Sequence, residues 1–191
     1  MTGNIMIVGV GGQGTLLTSR ILGTLLLSQG LDVKLSEVHG MSQRGGSVIT
    51  YVRFGEKVYS PIIEAGQADY VLAFEQLEAA RAVGYLRKDG CLLVNTQKLE
   101  PMPVITGAMA YPEGLLASMQ KRCRTLCVDA LSLAEQAGSA KCVNVVMLGV
   151  LARQMKFSVD AWTQAIRTTV PEKFLAMNEK AFALGLQYSA E

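Results

Sequence analysis

A chain of 191 residues, half of them hydrophobic, can bury one good core and is too short for two domains of ordinary size. Lys and Arg outnumber Asp and Glu only slightly, for a formal net charge of +2, and no basic block occurs, which speaks against a nucleic-acid surface. No apolar run reaches the roughly 18 to 20 residues that a membrane helix needs, so a soluble, cytoplasmic protein without membrane contact is expected.

The chain enters a strand at once. Ile5-Met6-Ile7-Val8 is an unbroken apolar run, mostly β-branched, suited to a strand covered on both faces. It leads into Gly9-Val10-Gly11-Gly12-Gln13-Gly14-Thr15, a Gly-x-Gly-x-x-Gly turn in which Gly9, Gly11 and Gly14 keep the backbone free of side chains. The helix that follows (Leu16, Leu17, Ile21, Leu25, Leu26), ending near Gly30, directs its unpaired amides and positive dipole end at that turn. A phosphate or carboxylate suits the arrangement; the same turn serves equally to pack a strand against a helix.

Asp32–Val38 alternates polar and apolar and reads as a second strand. Glu37 is the acid closest to the position, about 20 residues past the glycines, at which a dinucleotide-binding fold holds a ribose hydroxyl. A free-standing NAD-like module would use Gly9, Gly11, Gly14 and Glu37. Instead of a crossover helix there follows His39-Gly40-Met41-Ser42-Gln43-Arg44-Gly45-Gly46, a second glycine-rich loop that carries the single histidine of the chain. Its glycines supply left-handed backbone positions and a concave run of amides, and Arg44 adds a planar donor fork for phosphate or carboxylate. Ser47–Phe54 is then a strand, Gly55-Glu56 a turn, and Lys57-Val58-Tyr59 its expected hairpin partner, which makes the sheet mixed. Were the first two strands parallel neighbours, both glycine loops would lie along one carboxyl edge, where open α/β folds bind ligands.

Strand and helix signals then alternate: a strand at Asp69–Phe74, a helix at Gln76–Leu86 and a strand at Gly90–Asn95. Pro101, Pro103 and Gly107 mark a loop, Pro112 and Glu113 a helix start, Leu126–Asp129 the last strand and Ala130–Ala137 a helix. Val143–Met155, Val159–Thr168 and Glu172–Leu186 read as three helices. The expected fold is a three-layer α/β/α domain with a Rossmann-like, mixed but mostly parallel sheet, an inserted β-hairpin and a helical C-terminal third. One domain spans residues 1–191, with a sheet core over about 1–140 and a helical extension over about 141–191.

With one histidine, no second imidazole is at hand for a zinc or acid–base pair, and His39 acts alone if it acts at all. The four cysteines (Cys91, Cys123, Cys127, Cys142) match no metal spacing and read as free, largely buried thiols. Glu75 and Glu78 open a helix, where they favour its dipole. Composition and spacing thus describe a binding edge without a catalytic set of its own.

The residues themselves carry a resemblance. Gly9–Gly14 after the first strand, His39–Val48 after the second, and Ala68–Glu75 are together similar to the gamma-type domain of the 2-oxoacid:ferredoxin oxidoreductases. The Gly-Met-Ser-Gln-Arg-Gly-Gly form resembles most the beta chains of the indolepyruvate branch. The resemblance implies a non-cofactor subunit, inactive alone, of an enzyme that decarboxylates aryl pyruvates oxidatively with coenzyme A as co-substrate. Thiamine diphosphate, magnesium and 4Fe–4S clusters are then expected on a larger alpha subunit, in an alpha2beta2 assembly that passes electrons to ferredoxin. This chain shows no Gly-Asp-Gly with a distant Asn-Asn and no Cys-x-x-Cys-x-x-Cys run, in keeping with that division. A sibling gamma subunit acting on pyruvate, 2-oxoisovalerate or 2-oxoglutarate is the nearest alternative. By the same resemblance Gly9, Gly11, Gly12, Gln13, Gly14, Thr15, Ser42, Gln43, Arg44, Gly45 and Gly46 face either coenzyme A or the alpha subunit.

Overall fold

Alternation along the first strand, β1 (Gly3–Val10), sets up two cores: Ile5 and Ile7 point into one, Met6 and Val8 into the other, all at most 1% exposed. The computed structural model describes residues 2–40 and 45–189. After β1 come α1 (Thr15–Ser28), β2 (Asp32–His39), β3 (Ser47–Gly55), β4 (Ala68–Ala73), α2 (Gln76–Ala82) and β5 (Leu86–Asn95). A one-turn helix α3 (Met102–Ile105), α4 (Leu115–Gln120), β6 (Arg124–Val128), α5 (Ala130–Ala137), α6 (Val143–Ala152), α7 (Val159–Thr169) and α8 (Leu175–Gln187) complete the chain. No helix among the described residues is long and apolar enough to cross a membrane.

The sheet order is β2-β3-β1-β4-β5-β6. β1, β4, β5 and β6 run parallel, whereas β3 is antiparallel to both β1 and β2. One face of the sheet (Ile5, Ile7, Leu72, Leu93, Val128) shares a core with α1, α5, α6, α7 and α8. The other face (Met6, Val8, Val71, Leu92, Val94) is covered by α2 and α4. These are the layers and the mixed sheet that the sequence leads one to expect.

The hairpin is another matter. Lys57–Tyr59 forms no strand; the hairpin is β2–β3, closed by the second glycine loop. Both edges of β3 are already taken, by β1 from Gly3↔Phe54 to Val10↔Ser47 and by β2 from Asp32↔Gly55 to His39↔Val48, so nothing remains for a third strand to pair with. Val58 is buried instead beside the start of β2, its N–H donating to Asp32 Oδ2 at 2.9 Å. The expected helix over Gln76–Leu86 also stops short: α2 ends at Ala82, a 3-10 turn covers Val83–Tyr85, and β5 begins at Leu86.

α6 is apolar nearly all round and every one of its residues is buried, as a helix enclosed on all sides requires. It lies in the same core as the sheet and α8, so the C-terminal helices complete the layer begun by α1.

Candidate functional site

The two glycine loops meet. β1 and β2 are not neighbours, as β3 lies between them; yet β3 is antiparallel, so its start lies beside the end of β1. The hairpin loop that follows β2 therefore reaches the carboxyl edge of β1. There the Gly11 N–H donates to the Gly46 carbonyl at 2.8 Å and the Gly45 N–H to the Gly11 carbonyl at 3.3 Å. Met41, Ser42, Gln43 and Arg44 lie outside the described residues.

The first loop is held from inside. Gln13 folds back so that its Oε1 accepts from the Val10 N–H at 2.7 Å, while its Nε2 donates to the Phe74 carbonyl at the end of β4 at 3.0 Å. A Cβ on Gly9 would stand 2.9 Å from that Oε1 and 3.3 Å from Phe74, so the position admits only glycine without a shift. Gly14 caps α1 at a φ of 84°, with the Asn144 carboxamide so close that a Cβ would meet its Nδ2 at 2.7 Å. Thr15 opens the helix and is buried, and the first-turn amides of α1 have no acceptor within the helix. Gly12, at a φ of 104°, stands in open space.

Beyond this turn the edge continues into two buried carboxylates. Glu75 caps α2, accepting from the N–H groups of Leu77 at 2.6 Å and Glu78 at 3.0 Å. Its other oxygen accepts from the Leu99 N–H at 3.2 Å and from the Tyr111 hydroxyl. Burial first, and then this bond to a carboxylate, raise the Tyr111 phenol above its ordinary pKa. Glu78 accepts from the Ser47 hydroxyl, next to Gly45-Gly46, and pairs with Arg81 at 3.0 Å. Glu75, Glu78, Ser47 and Arg81, with Val10, Gly11 and Leu99, line a cavity of about 360 Å³.

Two further cavities flank the Gly12–Gly14 turn. One, of about 490 Å³, lies between the start of α1, the end of β2 and the start of β3, and is lined by Glu37, His39 and Val48 among others. Glu37 accepts from Thr50 Oγ1 at a long 3.4 Å, and His39 is exposed with its Nδ1 3.2 Å from the Gly40 carbonyl. Because β3 separates β2 from β1, Glu37 is not on the adjacent strand from which an acid meets the ribose in a dinucleotide fold. The other cavity, of about 370 Å³, lies between the turn and the start of α6, lined by Gln97, Lys141 and Asn144 among others. Asn144 is the one polar residue of α6, and its burial opposite a glycine turn is the signal a reading of the sequence misses.

The cysteines are free, and burial pushes the thiols of Cys91, Cys127 and Cys142 up. Among the described residues no three His, Cys, Asp or Glu side chains gather as a metal would require.

Comparison with known proteins agrees in fold and family. A family model described as pyruvate ferredoxin/flavodoxin oxidoreductase matches residues 4–188. Indolepyruvate oxidoreductase subunit IorB of Thermococcus kodakarensis is 41% identical over 98% of this chain and 96% of its own length. Its counterpart in Archaeoglobus fulgidus is 41% identical over 95% of this chain and 92% of its own. Among solved structures, the gamma subunit of a keto/oxoacid ferredoxin oxidoreductase from Geobacter sulfurreducens superposes with a TM-score of 0.73 at 24% identity, covering 97% of this chain and 96% of that one.

Proposed function

Because the chain belongs to the pyruvate ferredoxin/flavodoxin oxidoreductase family, we propose that it is the beta subunit of an indolepyruvate:ferredoxin oxidoreductase. In that assembly an aryl pyruvate loses carbon dioxide, its acyl group passes to coenzyme A, and the electrons leave for ferredoxin. The observation that carries the reading is near full-length identity of 41% to chains named for that activity. Thiamine diphosphate, magnesium and the 4Fe–4S clusters belong to the larger alpha subunit, and the two form an alpha2beta2 complex in the cytoplasm. The whole chain acts as one gamma-type domain, inactive alone.

The carboxyl edge supports this assignment in its own terms. Two glycine loops tied together at Gly11, Gly45 and Gly46 present backbone to whatever lies opposite, and the first turn of α1 favours an anionic group there. Gly9, Gly11, Gly12, Gln13, Gly14, Thr15, Gly45 and Gly46 form or support this surface, and together with Ser42, Gln43 and Arg44, which lie outside the described residues, they are assigned to contact with either coenzyme A or the alpha subunit. Met102, Ile105 and Met109, each more than 60% exposed, follow directly on the Leu99–Pro101 wall of the first cavity and supply apolar area for a protein partner.

The test is to isolate the chain with its natural partners. A larger chain with iron–sulfur absorbance is expected, reducing ferredoxin or a viologen dye when given indolepyruvate and coenzyme A. A colourless chain that stays alone when candidate alpha subunits are supplied would sink the proposal; turnover with pyruvate or a branched 2-oxoacid in place of indolepyruvate would move it to a sibling enzyme.

A further inference from the structure

The edge opposite the glycine loops is cationic. Where the parallel strands begin, the fold gathers charges that the sequence scatters. Arg87 and Lys88 stand at the start of β5, Lys121, Arg122 and Arg124 at the turn into β6, and Arg153 and Lys156 just beyond α6, all of them exposed. The strand register sets Tyr70 beside Cys91 and Cys91 beside Arg124. Two bonds draw the end of α6 onto these strand starts: the Tyr70 hydroxyl donates to the Gln154 carbonyl at 2.8 Å, and Arg124 donates to Gln154 Oε1 at 2.7 Å. Arg153 in turn donates to the Tyr188 carbonyl, and the Tyr188 hydroxyl to the Cys127 carbonyl of β6 at 2.7 Å.

Seven of the chain's 18 Lys and Arg residues thus share one edge of a molecule whose formal net charge is only +2. Arg87 pairs with Asp69 at 2.9 Å, and Asp89 is the one carboxylate within residues 86–89, 121–124 and 153–156. The other six cations join no ion pair among the described residues. Like charges held together repel, so an acidic surface brought against them is attracted by the whole patch.

The kind of partner follows from what surrounds these charges. None of the large exposed apolar side chains, such as Met102, Ile105 and Met109 by the carboxyl edge, belongs to the three cationic segments. A permanent interface has an apolar centre, whereas a charged surface without one suits a partner that docks fast and leaves again. The segments carry no aromatic residue on which a base could stack, and Asp69 and Asp89 among the cations oppose a phosphate backbone, which favours protein over nucleic acid.

In the function proposed above, on which this inference rests, one protein must arrive, take electrons and depart. We infer that the cationic edge formed by Lys88, Lys121, Arg122, Arg124, Arg153 and Lys156 docks an acidic face of the ferredoxin. Lying at the far end of the strands from the glycine loops, it is clear of the surface assigned to coenzyme A or the alpha subunit. The edge steers and orients the carrier, and no bond is made or broken there.

The experiment measures reduction of ferredoxin and of a viologen dye by the intact complex, before and after the double charge reversal Lys121→Glu with Arg122→Glu. Arg20→Glu with Lys180→Glu, equally exposed, makes the same change in net charge away from these segments. At low ionic strength the first pair should raise the KM for ferredoxin about tenfold, an effect that shrinks as salt is added. The dye, itself a cation, should be reduced as before, and the second pair should move the ferredoxin KM less than about twofold. Zero-length carbodiimide cross-linking should join ferredoxin carboxylates to Lys88, Lys121 or Lys156. An unmoved ferredoxin KM, an equal shift from the two pairs, or cross-links confined to the larger chain would overturn the docking assignment. So would an oligonucleotide that binds the complex through this edge while the ferredoxin KM stays unmoved. A complex that reduces neither ferredoxin nor dye when given indolepyruvate and coenzyme A would instead remove the functional reading, and this inference with it.

Discussion

Gly149 of α6 and Gly185 of α8 meet backbone to backbone. A Cβ on Gly185 would fall 2.0 Å from the Val146 carbonyl oxygen and 3.2 Å from Gly149 Cα, and one on Gly149 would fall 2.3 Å from the Phe182 carbonyl oxygen. The obstacles are main-chain atoms, so no rotamer change relieves the clash, and the helices must separate within a core they share with the sheet. Alanine gains up to about 1 kcal/mol in helix propensity but incurs overpacking of about 1 to 3 kcal/mol or more. Gly185→Ala and Gly149→Ala are therefore each expected to lower the unfolding free energy by about 2 kcal/mol, read as a lower urea midpoint. Gly84→Ala, where an added Cβ meets nothing within 4 Å, should change stability by less than about 0.5 kcal/mol. Equal midpoints for all three would show that the crossing yields more easily than its geometry implies.

Gln13 explains why the first glycine loop contains a glutamine. Its amide joins the Val10 N–H to the Phe74 carbonyl, and that carbonyl also accepts from Asn95 Nδ2 at 3.1 Å, whose Oδ1 takes the Ala130 N–H at 3.2 Å. The ends of β1, β4 and β5 and the start of α5 are thus linked by two amide side chains. Gln13→Ala leaves the Val10 N–H without its acceptor and should cost about 1 to 2 kcal/mol. Gln13→Glu restores that acceptor but turns a carboxylate towards the Phe74 carbonyl, so it should not recover full stability. Full recovery by the glutamate variant would show that the bond to Phe74 contributes nothing.

What the sequence reveals here is local. The apolar run Ile5–Val8, the glycine turn and the start of α1 are contiguous, and each is recognisable from propensity and periodicity alone. The insertion of β3 between β1 and β2 is not, because alternation tells which face a strand buries and not which neighbour it takes. Lys57–Tyr59 has the alternation of a strand, but both edges of β3 are occupied. In the site, the glycines are legible, whereas Ser47–Glu78, Tyr111–Glu75 and Asn144–Gly14 join residues 31, 36 and 130 positions apart. Asn144 alone leaves a trace, as a single polar residue in an apolar helix.

Alkaline pH should expose the Tyr111–Glu75 bond. The Tyr111 phenol is raised above its ordinary pKa by burial and then by its bond to Glu75, so the folded state holds this proton more tightly than the unfolded chain does. Its contribution to stability is fully present below the unfolded value of about 10 and is lost as pH rises through the folded one. Tyr111→Phe is expected to cost about 1 to 2 kcal/mol near neutrality. The gap between variant and parent should then narrow above about pH 10. Denaturation midpoints from pH 8 to 12 check this; a gap that stays constant would show that ionisation of Tyr111 is not linked to folding.

Ser47 ties the second glycine loop to the helix beyond the first. Its hydroxyl donates to Glu78, whose side chain is only 7% exposed and whose other oxygen takes Arg81. Ser47→Ala leaves a buried carboxylate oxygen without that donor, a loss of about 1 to 3 kcal/mol. The consequence should reach Gly45, two residues earlier, whose N–H is bonded to the Gly11 carbonyl, and Gly11, whose N–H is bonded to the Gly46 carbonyl. Hydrogen exchange is the measurement: the Gly11 and Gly45 amides should lose protection in Ser47→Ala, while amides in the middle of β5 change only as global stability falls. If Gly11 and Gly45 keep their protection, the loops are joined by the glycine backbone alone, and Glu78 serves α2 rather than the edge.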